Sequence, residues 1–145
     1  MTRPADHRVA DAMTYRPVTI GRQAPLAEAA RVFEQLHVGS LPVTEDGCLV
    51  GILTRLDMLK AFAAGQDGGG EGDVMAIPAE AVMTRAPVTL APTASLADAL
   101  ETMIVTRCPH VAVVFGALLV GIITRTDVAR ALQATRAGGA LGRVA

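Results

Sequence analysis

Two short stretches place a hydroxyl, a guanidinium and a carboxylate in the same order: Thr54-Arg55-Leu56-Asp57 and Thr124-Arg125-Thr126-Asp127. Each follows an apolar run, "VGIL" at 50–53 and "VGII" at 120–123. Polar residues after such a run mark the end of a strand turning into a helix. Two kinds of chemistry fit. Thr-x-x-Asp resembles a capping box, in which Thr caps the helix and the carboxylate reaches back to the backbone. That box prefers the longer Glu or Gln at its last position, whereas both copies use Asp. A helix N-terminus at the end of a buried strand is also where α/β proteins bind anions. There the free N–H groups and the Thr hydroxyl can meet a phosphate. An ionised Asp only accepts hydrogen bonds, so it can take both hydroxyls of a ribose. Arg55 and Arg125 either add charge for a phosphate or stay solvated.

The elements that must position these groups also come in two copies. Met13-Thr14 recurs as Met83-Thr84, Pro17-Val18-Thr19 as Pro87-Val88-Thr89, and Leu26-Ala27 as Leu96-Ala97. The offset is 70 throughout, and about 19 of 55 positions agree between 10–64 and 80–134. This is an internal duplication. Val18–Ile20 reads as a short extended piece. "PLAEAARVFEQLH" (25–37) carries a helical apolar stripe, with Pro25 suited to the first turn. "SLPVT" (40–44) and "CLVGIL" (48–53) read as strands joined by the turn "EDG". A second helix over 55–64 should end at Gly65. The second copy gives a strand at 87–90, a helix at 96–107 capped by Ser95 with Asp98, strands at 111–115 and 118–123, and a helix at 125–136.

The expectation is a mixed α/β fold of two β-α-β-β-α repeats. A unit of roughly 55 residues buries too little surface alone, so the two should pack sheet to sheet with pseudo-twofold symmetry. The boundaries drawn are 8–64 for repeat 1, 65–77 for a Gly-rich linker, 78–135 for repeat 2 and 136–145 for a flexible tail. "GQDGGGEGD" (65–73) lacks the ending of a phosphate loop and no strand leads into it. It reads as an exposed linker.

Composition narrows the function. A formal charge of −1 over 145 residues gives no nucleic-acid footprint. The aromatics are Tyr15, Phe33, Phe62 and Phe115, too few for base-stacking platforms. Cys48 and Cys108 are the two cysteines, read as buried or half-buried thiols with no zinc spacing. The polar opening "MTRPADHRVADAMT" is unlike a signal peptide, and no apolar run nears a membrane span. The expected location is cytoplasmic. His7, His37 and His110 have no evident nucleophile beside them, and no carboxylate pair or metal cluster stands out. The chain reads as a non-enzyme.

The pattern "VMT…P-V-T", a helix, "VGSLPVTEDGCLVGILTRLD" and a further helix resembles a cystathionine-β-synthase (CBS) domain, and 78–134 resembles a second. A tandem pair of this family forms a Bateman module with two clefts, which in many members bind AMP, ADP, ATP or S-adenosylmethionine. The resemblance implies that the signature Asp holds the ribose and that Thr meets ribose or phosphate. It places Thr54 and Asp57 in one cleft, with Gly39, Ser40, Leu41 and Pro42 near the base and Val18 and Thr19 as another wall. The other cleft would use Thr124 and Asp127, with Val88, Thr89 and the strand from Pro109 to Val113, Val111 included. There the copy departs from the pattern: Gly39, Ser40 and Pro42 become Pro109, His110 and Ala112. That cleft is shaped differently or empty, and His110 reaches a phosphate or simply packs.

The resemblance implies a stand-alone regulatory or sensor module. It would bind an adenosyl ligand, hold no resident cofactor, pair as a homodimer through its helices and act in trans on a protein partner. The alternative is a ligand-free interaction or dimerisation module with degenerate clefts.

Overall fold

The computed structural model describes residues 7–67 and 73–144. Helices and strands interleave: α1 (Val9–Ala12), β1 (Thr14–Tyr15), β2 (Ile20–Gly21), α2 (Leu26–Leu36), β3 (Ser40–Glu45), β4 (Cys48–Thr54) and α3 (Arg55–Asp67). Two 3-10 turns, Val74–Ala76 and Ala79–Ala81, lead into β5 (Thr84–Arg85), β6 (Thr89–Leu90), α4 (Leu96–Thr106), β7 (His110–Phe115), β8 (Leu118–Thr124) and α5 (Arg125–Val144). The mixed α/β class and the repeated β-α-β-β-α order are those the sequence implies.

The chain forms two compact units, and their borders are not those of the repeats. One unit is Val18–Pro87; the other joins the chain up to Pro17 with the chain from Val88 onward. In the Val18–Pro87 unit β2 runs parallel to β3, β3 pairs antiparallel with β4, and β5 pairs with β4 through Gly51↔Arg85 and Ile52↔Thr84. In the other unit β6 runs parallel to β7, β7 pairs antiparallel with β8, and β1 pairs with β8 through Thr14↔Ile122 and Tyr15↔Gly121. Each repeat therefore hands its leading segment to the other repeat's sheet.

The hydrogen bonds that seat these segments obey the same 70-residue offset. Ala79 N donates to Ala24 O (2.8 Å), Glu80 N to Arg22 O (2.9 Å), and Leu26 N to Ile77 O (2.9 Å). In the other unit Val9 N donates to Ala94 O (2.7 Å), Ala10 N to Pro92 O (3.0 Å), and Leu96 N to His7 O (2.9 Å). Gly51 and Gly121 let the crossing segments approach. A Cβ on Gly51 would lie 2.9 Å from Thr84 O, and one on Gly121 2.9 Å from Thr14 O.

Strand alternation divides the side chains of β3 and β4 between two faces. Leu41, Val43 and Leu53 enter a core with Leu26, Ala29, Phe33 and Met58 from α2 and α3. Val111, Val113 and Ile123 do the same with Leu96, Ala99, Met103 and Val128. The β3–β4 turn holds Asp46 at φ 53° and Gly47 at φ 80°. Two successive positive φ values give a turn whose twist matches the flanking strands.

Two expected ends move. α3 passes through Gly65 to Asp67, because one Gly costs a helix only about 1 kcal/mol relative to Ala. α5 runs past residue 136 to Val144, where no Pro interrupts and the alanines favour helix. The Gly-rich stretch 65–73 falls largely on residues 68–72, outside the described residues.

Candidate functional site

In the Val18–Pro87 unit, β4 delivers Thr54 and α3 begins on the next residue. The capping box is formed: Thr54 N donates to Asp57 Oδ2 at 2.9 Å, and Asp57 N donates to Thr54 Oγ1 at 3.1 Å. The capping role is therefore real, and it leaves chemistry unused. Among the described residues Asp57 Oδ1 has no protein partner, and the Thr54 hydroxyl still has its proton to donate. Across the ladder Ser40 faces Thr54 directly. Directly opposed residues of an antiparallel pair put their side chains on the same face, with Cβ atoms about 5 Å apart. Ser40 is 6% exposed, and its hydroxyl has no hydrogen-bond partner among the described residues. A buried hydroxyl left unpaired costs roughly 1–3 kcal/mol, so such a group beside a helix N-terminus is suited to an incoming ligand.

The other unit repeats the box with different surroundings. Thr124 N donates to Asp127 Oδ2 at 3.0 Å, and Asp127 N to Thr124 Oγ1 at 3.2 Å. Asp127 is 6% exposed and carries two more partners. The Thr14 hydroxyl donates to Oδ2 at 3.4 Å and Arg130 Nη1 to Oδ1 at 3.5 Å. Opposite Thr124 stands His110 where the first unit has Ser40. Burial, and then the positive charge of Arg125, hold the His110 imidazole below its ordinary pKa. The backbone N–H of Arg125, in the first turn of α5, donates to Pro109 O at 3.0 Å.

Several residues expected at the sites stand elsewhere. Leu41 and Val111 are fully buried on the helix-covered side of their strands. The motif places them beside Ser40 and His110 in sequence, but the two-residue period of a strand turns them to the opposite face. Pro42 is buried on the face that Ser40 shares, paired with Ile52. Arg55 turns back onto α2: its Nη2 donates to Phe33 O at 3.4 Å and its guanidinium lies 5.9 Å from the Phe33 ring centroid. Phe33 O also accepts from His37 N at 3.1 Å, and the negative end of the α2 dipole attracts a cation, which draws Arg55 there rather than toward Asp57. Val18, Thr19 and Gly39 are exposed, as are Val88, Thr89 and Arg125. Thr89 pairs with Ala112 across the β6–β7 ladder.

The sequence reading missed Thr14 as a partner of Asp127. The available signal was the Met-Thr pair that recurs at 83–84 outside every element the sequence predicts. Among the described residues no three His, Cys, Asp or Glu side chains gather as a metal site, and no helix is long and apolar enough to cross a membrane. Cys48 and Cys108 are free and half-buried.

Comparison with known proteins places this geometry among relatives. The family model described as CBS domain matches residues 9–64 and again 79–134. The CBS domain-containing protein YhcV of Bacillus subtilis (strain 168) is 33% identical over 138 residues, covering 94% of each chain. The structure of CBSX2 in complex with AMP superposes with a TM-score of 0.80 at 25% identity, over 90% of this chain and 98% of that one. The CBS domain pair of protein MJ0100, in complex with 5′-methylthioadenosine and S-adenosyl-L-methionine, gives 0.75 at 26% identity, over 88% and 97%.

Proposed function

The chain belongs to the CBS domain family, two of whose domains it carries in tandem, and from that premise we propose that it is a regulatory module binding an adenosyl ligand. The observation that carries the reading is the Ser40 hydroxyl, unpartnered among the described residues and facing Thr54, whose cap leaves one oxygen of Asp57 free. A ribose offers two hydroxyl donors, and Asp57 Oδ1 accepts them. Thr54 and Ser40 donate to ribose or phosphate oxygens. The base lies along the wall made by Gly39, Ser40 and Pro42, with Val18 and Thr19 opposite. Two relatives of the same architecture hold AMP, or S-adenosylmethionine with methylthioadenosine, which supports this ligand class.

The ligand is a signal and not a resident cofactor, and the module is not an enzyme. Binding shifts the population between two arrangements of the chain, which a protein partner reads in trans. The chain pairs as a homodimer through its helices, where Leu36, Leu56 and Leu59 are exposed. Leu59 lines an open recess of about 470 Å³ between α2 and α3, together with Phe33, His37 and Met58. The cytoplasm is its proposed location.

A thermal-shift panel with AMP, ADP, ATP, S-adenosylmethionine, NADH and cyclic dinucleotides tests the ligand class. A free ligand at a hundred times its Kd stabilises by about 2.7 kcal/mol. An adenosyl compound should therefore raise the melting temperature clearly, and the rise should shrink in Ser40→Val. A flat response to the whole panel favours the ligand-free interaction module, a reading that the altered His110 site also supports.

A further inference from the structure

The two signature carboxylates are the same residue type at the same repeat position, yet they differ in what they already hold. Asp57 is half-buried and keeps Oδ1 free among the described residues, with an orphan hydroxyl facing its helix start. Asp127 is buried, and both of its oxygens are in use. One of its donors, Thr14, arrives from 113 residues away on the leading segment that pairs β1 with β8. A threonine hydroxyl donating to this carboxylate does what a ribose hydroxyl would do there. Resting on the adenosyl reading above, we infer that Thr14, helped by Arg130, acts as a built-in surrogate ligand that occupies Asp127 and leaves the Asp57 site as the one that takes nucleotide.

One further feature agrees. The leading segment is held by backbone bonds from Val9 and Ala10 to Ala94 and Pro92, so Thr14 is delivered by a fixed element. Ligand entering the Asp127 site must displace an intramolecular donor that has no translational entropy to lose, and competes at a disadvantage.

The test is binding stoichiometry by calorimetry with AMP, each variant first checked for an intact thermal transition. Thr14 is exposed, as is the Arg130 side chain (72%), so the double variant Thr14→Val/Arg130→Gln should fold. The wild type should bind one AMP per chain, lost at least tenfold in affinity in Asp57→Asn and unchanged in Asp127→Asn. Thr14→Val/Arg130→Gln should bind two, and adding Asp127→Asn should return it to one. Two equal sites in the wild type, or one site in Thr14→Val/Arg130→Gln, overturn the inference while leaving the adenosyl reading intact. A wild type that binds no AMP but does bind another adenosyl compound moves the same stoichiometric test to that compound, with the same two outcomes deciding it. A wild type that binds none of them overturns both.

Discussion

Replacing Gly51 by Ala probes the exchange of leading segments where it is tightest. The new methyl carbon would lie 2.8 Å from Met83 Cγ, closer still to Met83 Sδ, and 2.9 Å from Thr84 O. The thioether can swing away because methionine is flexible. The Thr84 carbonyl cannot, since it belongs to β5, whose Thr84 and Arg85 pair with Ile52 and Gly51. Forcing a methyl into a packed site costs about 1–3 kcal/mol. At roughly 2–4 °C per kcal/mol for a chain of this size, Gly51→Ala should melt about 2–12 °C below the wild type. Gly21→Ala is the matched control: it too lies in a strand, but its added carbon meets nothing within 4 Å. Thermal unfolding followed by circular dichroism reads both variants. If Gly51→Ala melts with Gly21→Ala and the wild type, β5 does not lie against β4 as described, and the exchange is refuted.

Asp127→Asn should destabilise the chain more than Asp57→Asn, by about 1–2 kcal/mol, because it weakens charge-assisted bonds from Thr14 and Arg130 as well as the cap; equal urea midpoints would contradict this. The His110 imidazole titrates below its ordinary value of about 6.5. Between the folded and unfolded pKa the unfolded chain binds more protons, so stability rises with pH across that window and is lost as pH falls through it. Melting temperatures measured from pH 8 down to 5 should fall less steeply in His110→Ser, and parallel curves would count against a lowered His110 pKa. Sedimentation equilibrium at tens of micromolar should give a dimer, and Leu59→Glu should shift it to monomer; a wild-type monomer would remove the proposed pairing.

Local physics was legible in the sequence. The stripe of 25–37, the Asp46-Gly47 turn, the Ser95–Asp98 capping box and the two Thr-x-x-Asp caps each depend on residues a few positions apart, and each forms. What the sequence left unread is long-range or a matter of parity. The 70-residue repeat shows that Met13-Thr14 and Met83-Thr84 are equivalent, but no local period tells which sheet each joins. A contact such as Thr14 to Asp127 has no sequence signature. Leu41 and Val111 were grouped with their neighbours because a motif is a string, while a strand sends consecutive side chains to opposite faces. The charge of Arg55 points to a phosphate in the sequence, whereas in the fold the Phe33 carbonyl near the end of α2 lies within its reach.

The central claim is that Asp57 does more than cap a helix. Calorimetric titration of the wild type and Asp57→Asn with the adenosyl compound that gives the largest thermal shift tests it most directly. Asn still accepts a hydrogen bond from Thr54 N, so the cap should survive with little change in melting temperature, whereas the charge and one acceptor are lost. The account predicts a roughly tenfold weaker Kd in Asp57→Asn, about 1.4 kcal/mol. Equal affinity in the two proteins would contradict it and leave Asp57 as a helix cap alone.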